Sequence, residues 1–254
     1  MKRILVFAVV CFFCLGLVAS ANIGLAAQET KKSDAKAMQV LGKLIEAMGG
    51  RNTMQAVKDM TATGTIEMPA MGMEGSATLY TKKGNKFRID IEIMGMSIIQ
   101  AFDGEIGWWT NPQAGGAVEE LSGEQLEDMK RQAIGDSAYL EPEKYGIVYT
   151  SKGQEKLEDK DYDVLLMSYA DGYEVTMYID TKTNLLYKTL SLAPDPMTGM
   201  EGEVESLATD YKKINGMMVA HTMTTFNAGE EFMTIILDEI KFDTGLDDAL
   251  FKQE

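Results

Sequence analysis

The hydrophobic positions change their period along the chain. From Ser33 they recur at helical spacing, with Ala37, Val40, Leu41, Leu44, Ile45 and Met48 striping one face of a helix that Ser33 can cap and Gly49-Gly50 can stop. A short second helix is expected over Thr53 to Lys58. After Thr61 the period falls to two: Phe87, Ile89, Ile91 and Ile93 alternate with Lys86, Arg88, Asp90 and Glu92, which predicts a strand with one dry and one wet face. The same alternation runs through Met73, Gly75, Ala77 and Leu79, and through Tyr173, Val175, Met177 and Ile179.

Turn signals at Lys83-Gly84-Asn85, Asp103-Gly104, Ala170-Asp171-Gly172, Asn215-Gly216 and Ala228-Gly229 space these runs at hairpin intervals. The product is an antiparallel meander of about ten strands. Ser122 to Ala133 interrupts it with helical spacing at Leu126, Met129 and Ala133, so the strands fall into an early and a late set. A curved sheet with a dry concave face needs a cover, and the two amphipathic helices can supply it. The fold class expected is mainly β (α+β).

The chain opens with Lys2 and Arg3, an apolar run from Ile4 to Val18, and Ala19-Ser20-Ala21, the pattern of a cleaved secretory signal. The expected organisation is a signal peptide over 1–21, a polar leader over 22–32 and one domain over 33–254, exported and soluble after cleavage. Cys11 and Cys14 both fall inside the signal, so their spacing carries no redox or zinc meaning. Loss of Lys2 and Arg3 takes the formal charge from −15 to −17, a surface that repels nucleic acid and anionic membrane.

Catalytic chemistry finds little to work with. His221 is the only histidine, no Gly-x-Ser-x-Gly elbow accompanies it, and no phosphate loop, zinc spacing or calcium loop is present. No enzyme activity and no cofactor are expected. The nineteen methionines are the anomaly. Residues 67–75 read EMPAMGMEG, and GMEG returns at 199–202. Thioether sulfur suits Cu(I), which makes Met71, Met73, Met197 and Met200 a copper set. Methionine also adapts its unbranched chain to varied apolar ligands, or fills ordinary core. If consecutive strands flank turns 69–72 and 94–96, Met71, Met73, Met94 and Met96 gather at one rim of the sheet, with Met68 and Met73 pointing inward.

The stretch TKKGNKFRIDIEIMGMSIIQAFDGEIGWWTNPQ, residues 81–113, resembles the LolA-like family of periplasmic lipoprotein carriers. Lys83, Asn85 and Phe87 or Arg88 stand in its basic-Pro-Asn-x-Phe strand start; Asp103, Gly104, Trp108, Asn111 and Pro112 match its later motif with the same internal spacing. DTGLDDALF at 243–251 is similar to the closing segment of outer-membrane lipoprotein-sorting relatives, and AMGGRNTMQAVKDMTATGTIEM to their beginning.

The resemblance implies an incomplete antiparallel β-barrel, closed on one side by helices, around an apolar cavity for lipid or lipoprotein acyl chains. It also implies membrane-bound donor and acceptor proteins as partners. The ligand-facing candidates are Ile66, Met68, Met73, Leu79, Phe87, Ile89, Ile91, Ile93, Met96 and Trp108. Lys83 takes the place of the family's lid-latching arginine, without the planar fork of a guanidinium. Two other functions suit the same chain: a methionine-rich copper binder, and a regulator that senses lipid or lipoprotein on this fold.

Overall fold

The computed structural model of the chain describes residues 32–194 and 201–253. The expected signal peptide, nearly all of the leader, Met197 and Met200 lie outside the described residues. The first helix, α1 (Ala35–Met48), starts one residue later than Ser33 would place it: Asp34 is the cap, its Oδ1 accepting from Ala37 N at 2.6 Å. Ser33 instead accepts from Tyr149 N, so it ties the helix start to a strand edge. Gly49, at φ 128°, ends the helix as its sequence predicts. The second helix, α2, runs over Arg51–Ala56.

Six strands follow: β1 (Asp59–Met68), β2 (Met73–Lys82), β3 (Lys86–Ile93), β4 (Met96–Phe102), β5 (Gly107–Asn111) and β6 (Ala117–Glu120). Helix α3 (Gly123–Ile134) and the single turn α4 (Ser137–Leu140) then separate them from seven more. These are β7 (Val148–Leu157), β8 (Lys160–Ser168), β9 (Glu174–Asp180), β10 (Leu186–Pro194), β11 (Glu201–Ile214), β12 (Met217–Asn227) and β13 (Glu230–Phe242). All thirteen join one antiparallel sheet in the order β6-β5-β4-β3-β2-β1-β13-β12-β11-β10-β9-β8-β7. Two meanders are thus stitched together by the β1–β13 pair, and the sheet stays open between β6 and β7. The number exceeds the expected ten because β5 and β6 are only five and four residues long, and a bulge between Ser151 and Gly153 breaks the alternation of β7.

The sheet is tightly rolled at two glycines. A Cβ at Gly64 would lie 1.9 Å from Ile236 O, at the bulge where β1 crosses β13, and one at Gly75 would lie 2.2 Å from Glu92 O. Only a residue without a Cβ allows strands to approach so closely.

Helices cover part of the inner face. The buried stripe Ala37, Val40, Leu41, Leu44 and Ile45 of α1 packs on Tyr149, Leu165, Met167, Met177, Ile179 and Met217. Leu126, Met129 and Ala133 of α3 pack on Phe87, Phe102 and Trp109. On the opposite face, the C-terminal turn Asp248–Phe251 is fastened across β3 and β5. Arg88 Nη1 donates to Leu250 O at 2.8 Å and Trp108 Nε1 to Phe251 O at 2.9 Å.

Candidate functional site

Strand register decides which side chains can act together. Met68 pairs with Met73, Gly75 with Ile93, and Ile93 with Met96; Ala62 pairs with Leu79, and Leu79 with Ile89. Side chains of directly paired residues share a face, so Ile66, Met68, Met73, Leu79, Phe87, Ile89, Ile91, Ile93 and Met96 all lie on the inner side. Trp108 does not: it pairs with Ala101, which pairs with Arg88, and both belong to the outer face. Its ring is buried under the C-terminal turn. The inward ring is Trp109, which meets α3. Two adjacent tryptophans in one strand necessarily point opposite ways, and the register alone decides which is which.

The inner residues form two groups. Along the middle of the sheet, Ala62, Ile66, Ala77, Ile235, Leu237 and Ile240 are buried, with Met60, Leu79, Ile91, Met223 and Met233 half-buried against them. This apolar strip lies on β1, β2, β3, β12 and β13, while α1 packs mainly on β7 and β12 and α3 on β3, β4 and β5, so the helices meet it only at its margins. At one end of the strip the β1–β2 hairpin turns through Pro69–Met71, with Gly72 at φ 62°. There Met68, Met73, Ile93, Ile98 and Phe232 are buried together, and Met71, Met96 and Met233 lean on them. Met94 stays out of the cluster, exposed on the neighbouring turn with φ 52°.

Lys83 sits at the other end. It is exposed, and its Nζ donates to Gln55 O at 2.6 Å, holding the β2–β3 turn to the end of α2. Arg88, which alternation assigns to the wet side, is engaged bidentately by Asp90 at 2.6 and 3.0 Å. His221 is buried with Nδ1 3.0 Å from Val219 O. Among the described residues no group of three or more His, Cys, Asp or Glu side chains is placed to hold a metal ion.

Where α4 meets the late meander, the apolar wall gives way to tyrosines. Tyr149 is buried, its hydroxyl donating to Ala138 O at 3.1 Å and lying 3.1 Å from Met167 Sδ. Tyr211 Oη donates to Leu186 O at 2.8 Å. Burial pushes the Tyr169 and Tyr211 hydroxyls up to about 12, and Tyr139 and Tyr149 higher still. Asp136, in the link between α3 and α4, is close enough to raise Tyr139 and Tyr211 through its charge. None of these residues stands out in the sequence, because Asp136 and Tyr211 lie in polar runs 75 positions apart.

No family model and no curated protein sequence matches the chain. Solved structures do. A LolA superfamily protein from Nitrosomonas europaea is 16% identical over 85% of this chain and 97% of its own, with a TM-score of 0.58. A putative outer membrane lipoprotein-sorting protein domain from Vibrio parahaemolyticus is 15% identical over 85% and 96%, with a TM-score of 0.55. A DUF1329 family protein from Desulfovibrio piger is 15% identical over 87% and 98%, with a TM-score of 0.59. The fold of this chain is LolA-like. No helix among the described residues is long and apolar enough to cross a membrane, which says nothing of strands.

Proposed function

We propose that the protein is a periplasmic carrier or binding protein for lipid, or for the acyl chains of a lipoprotein, held in an apolar cavity between the curved sheet and its helices. The observation that supports this reading most is the half-buried apolar strip of Met60, Leu79, Ile91, Met223 and Met233 between the territories of α1 and α3. A sheet that used its inner face only for its own core would bury those side chains fully. The methionine-rich end suits a mouth, since thioether chains adjust to the ligand that passes. Lys83 is the latch in this reading, supported by its hydrogen bond from the β2–β3 turn to Gln55 O of α2.

Each methylene moved from water into such a strip contributes about 0.8 kcal/mol. Affinity for fatty acids is therefore expected to rise ~4-fold per added methylene until the strip is filled. Protein isolated without detergent is expected to carry lipid visible by native mass spectrometry, and Leu79→Asp with Ile91→Asp to abolish it. Lipid-free preparations that bind fluorescent fatty acids no better than a control protein would overturn the reading.

A further inference from the structure

His221 is the one imidazole of the chain, and it stands on the inner face of the sheet. Side chains alternate between faces along β12, so His221 shares its side with Met217 and Val219, which meet the α1 cluster, and with Met223 of the apolar strip. It is only 4% exposed. Nδ1 lies 3.0 Å from Val219 O, and a carbonyl can only accept, so Nδ1 donates its proton there and Nε2 carries the lone pair. Among the described residues none hydrogen-bonds to Nε2. Asp210 of β11 lies between the Thr209–Thr222 and Tyr211–Ala220 pairs, opposite His221, but it is exposed and holds Lys212 Nζ at 2.8 Å.

Register fixes where the imidazole stands in the inner wall. One position along from the Thr222–Ile236 pair, His221 lies beside Leu237, and the row continues through Gly64 and Ala77 to Ile91. It has a polar atom at one end and its smallest residues at the centre, where a Cβ on Gly64 would meet Ile236 O at 1.9 Å. Gly64 and Ala77 leave room above the floor of the strip. The methionine end lies further along β1, at Met68, roughly 13 Å from this row at the rise of a strand. His221 is therefore a deep group, well behind the rim.

We propose that His221 anchors the head group of a free lipid bearing a neutral hydroxyl, a long-chain alcohol or a monoacylglycerol, bound head first with its tail toward the methionine end. This assignment rests on the acyl-chain reading above and chooses between its two ligands. Any chain that fills the strip takes water from Nε2, and a buried acceptor left without a donor is unfavourable. A hydroxyl hydrogen removes that penalty. The acyl chain of a lipoprotein does not, because its polar end is tied to protein outside and its methyl end would reach His221. A fatty carboxylate has no proton to donate at neutral pH.

The test uses the untagged full protein, in which His221 remains the sole imidazole. Decanol, decyl methyl ether and decanoate each compete at neutral pH with a neutral naphthylamine fluorophore. The wild type is expected to hold decanol ~10-fold tighter than the ether, the scale of one hydrogen bond, and decanoate weakest. His221→Leu removes that preference, and His221→Gln, which restores an acceptor, keeps part of it. In protein with isotopically labelled histidine, the Nε2 magnetic resonance is expected to move when decanol binds and to stay when the ether binds, a readout that needs no variant to fold. Equal affinity for decanol and ether, an unmoved Nε2 resonance at saturating decanol, or a preference that survives His221→Leu with the fold intact by circular dichroism overturns the anchor alone. If no decyl probe displaces the fluorophore, the acyl-chain reading falls and the anchor with it.

Discussion

Two aspartates show how differently this molecule treats a carboxylate. Asp59, at the start of β1, is buried and fully engaged: Oδ1 accepts from Thr244 N at 2.6 Å and Thr244 Oγ1 at 2.8 Å, and Oδ2 from Gly245 N at 3.1 Å and Leu246 N at 3.4 Å. Burial works to raise its pKa, and those four donors outweigh burial and hold it below the ordinary carboxylate value. Asp136 is solvent-accessible and lacks such donors, and the protein packed around it moves its pKa the other way. The first closes the C-terminal segment onto the sheet. The second makes no side-chain hydrogen bond to the helix turn it precedes.

Removing the engaged carboxylate has the largest expected effect. Asp59→Ala leaves the Thr244, Gly245 and Leu246 donors unsatisfied and frees the segment that Arg88 and Trp108 hold further on. A loss of about 3 kcal/mol is expected in urea unfolding, the scale of charged hydrogen bonds lost from a buried site. Because the folded pKa lies below the unfolded one, this contribution is complete above pH ~4 and fades as pH falls through the lowered folded value. Urea midpoints measured from pH 6 downward are expected to converge for wild type and variant; a constant gap would detach Asp59 from the acid limb.

Trp108→Phe tests the same clasp at its far end and costs less. The substitution keeps most of the apolar ring and orphans Phe251 O, so about 1–2 kcal/mol is expected. Fluorescent fatty acid affinity is expected to stay unchanged, since the ring lies on the face away from the strip. A binding loss comparable with that of Leu79→Asp would put the outer face in the site.

What was legible in the sequence follows from period. The stripe of α1 and the alternation of β3 are strong one-dimensional signals, and hairpin turns fix which ends of strands meet, which is why Met68, Met73 and Met96 could be placed together. Parity across a five-residue strand is not such a signal, because β5 offers Trp108 and Trp109 with equal claim and only pairing with β4 chooses. Short β6 and bulged β7 carry too few alternating positions to count. Asp136 was illegible for another reason: the residues that feel its charge, Tyr139 and Tyr211, come from α4 and β11, elements with no shared pattern, and nothing in Gly135-Asp136-Ser137 distinguishes it from a surface link.

Asp136→Asn has the smallest expected effect on stability and the opposite sign. A carboxylate whose folded pKa is raised above its unfolded value is easiest to accommodate when protonated, so it disfavours the folded state least below pH ~4 and most once pH exceeds the raised folded value. Asparagine keeps the shape without the charge. The variant is therefore expected to melt slightly above the wild type at pH 7, with the advantage shrinking as pH falls toward 4. Asp59→Asn, which surrenders an anion to three N–H donors and a hydroxyl, is expected to melt below wild type at pH 7 and to approach it in acid. Thermal melts of the two variants across that range set opposite slopes against each other. If Asp136→Asn instead lowers the melting temperature at neutral pH, the carboxylate is stabilised by the fold after all, and the contrast between an engaged and an unengaged aspartate is lost.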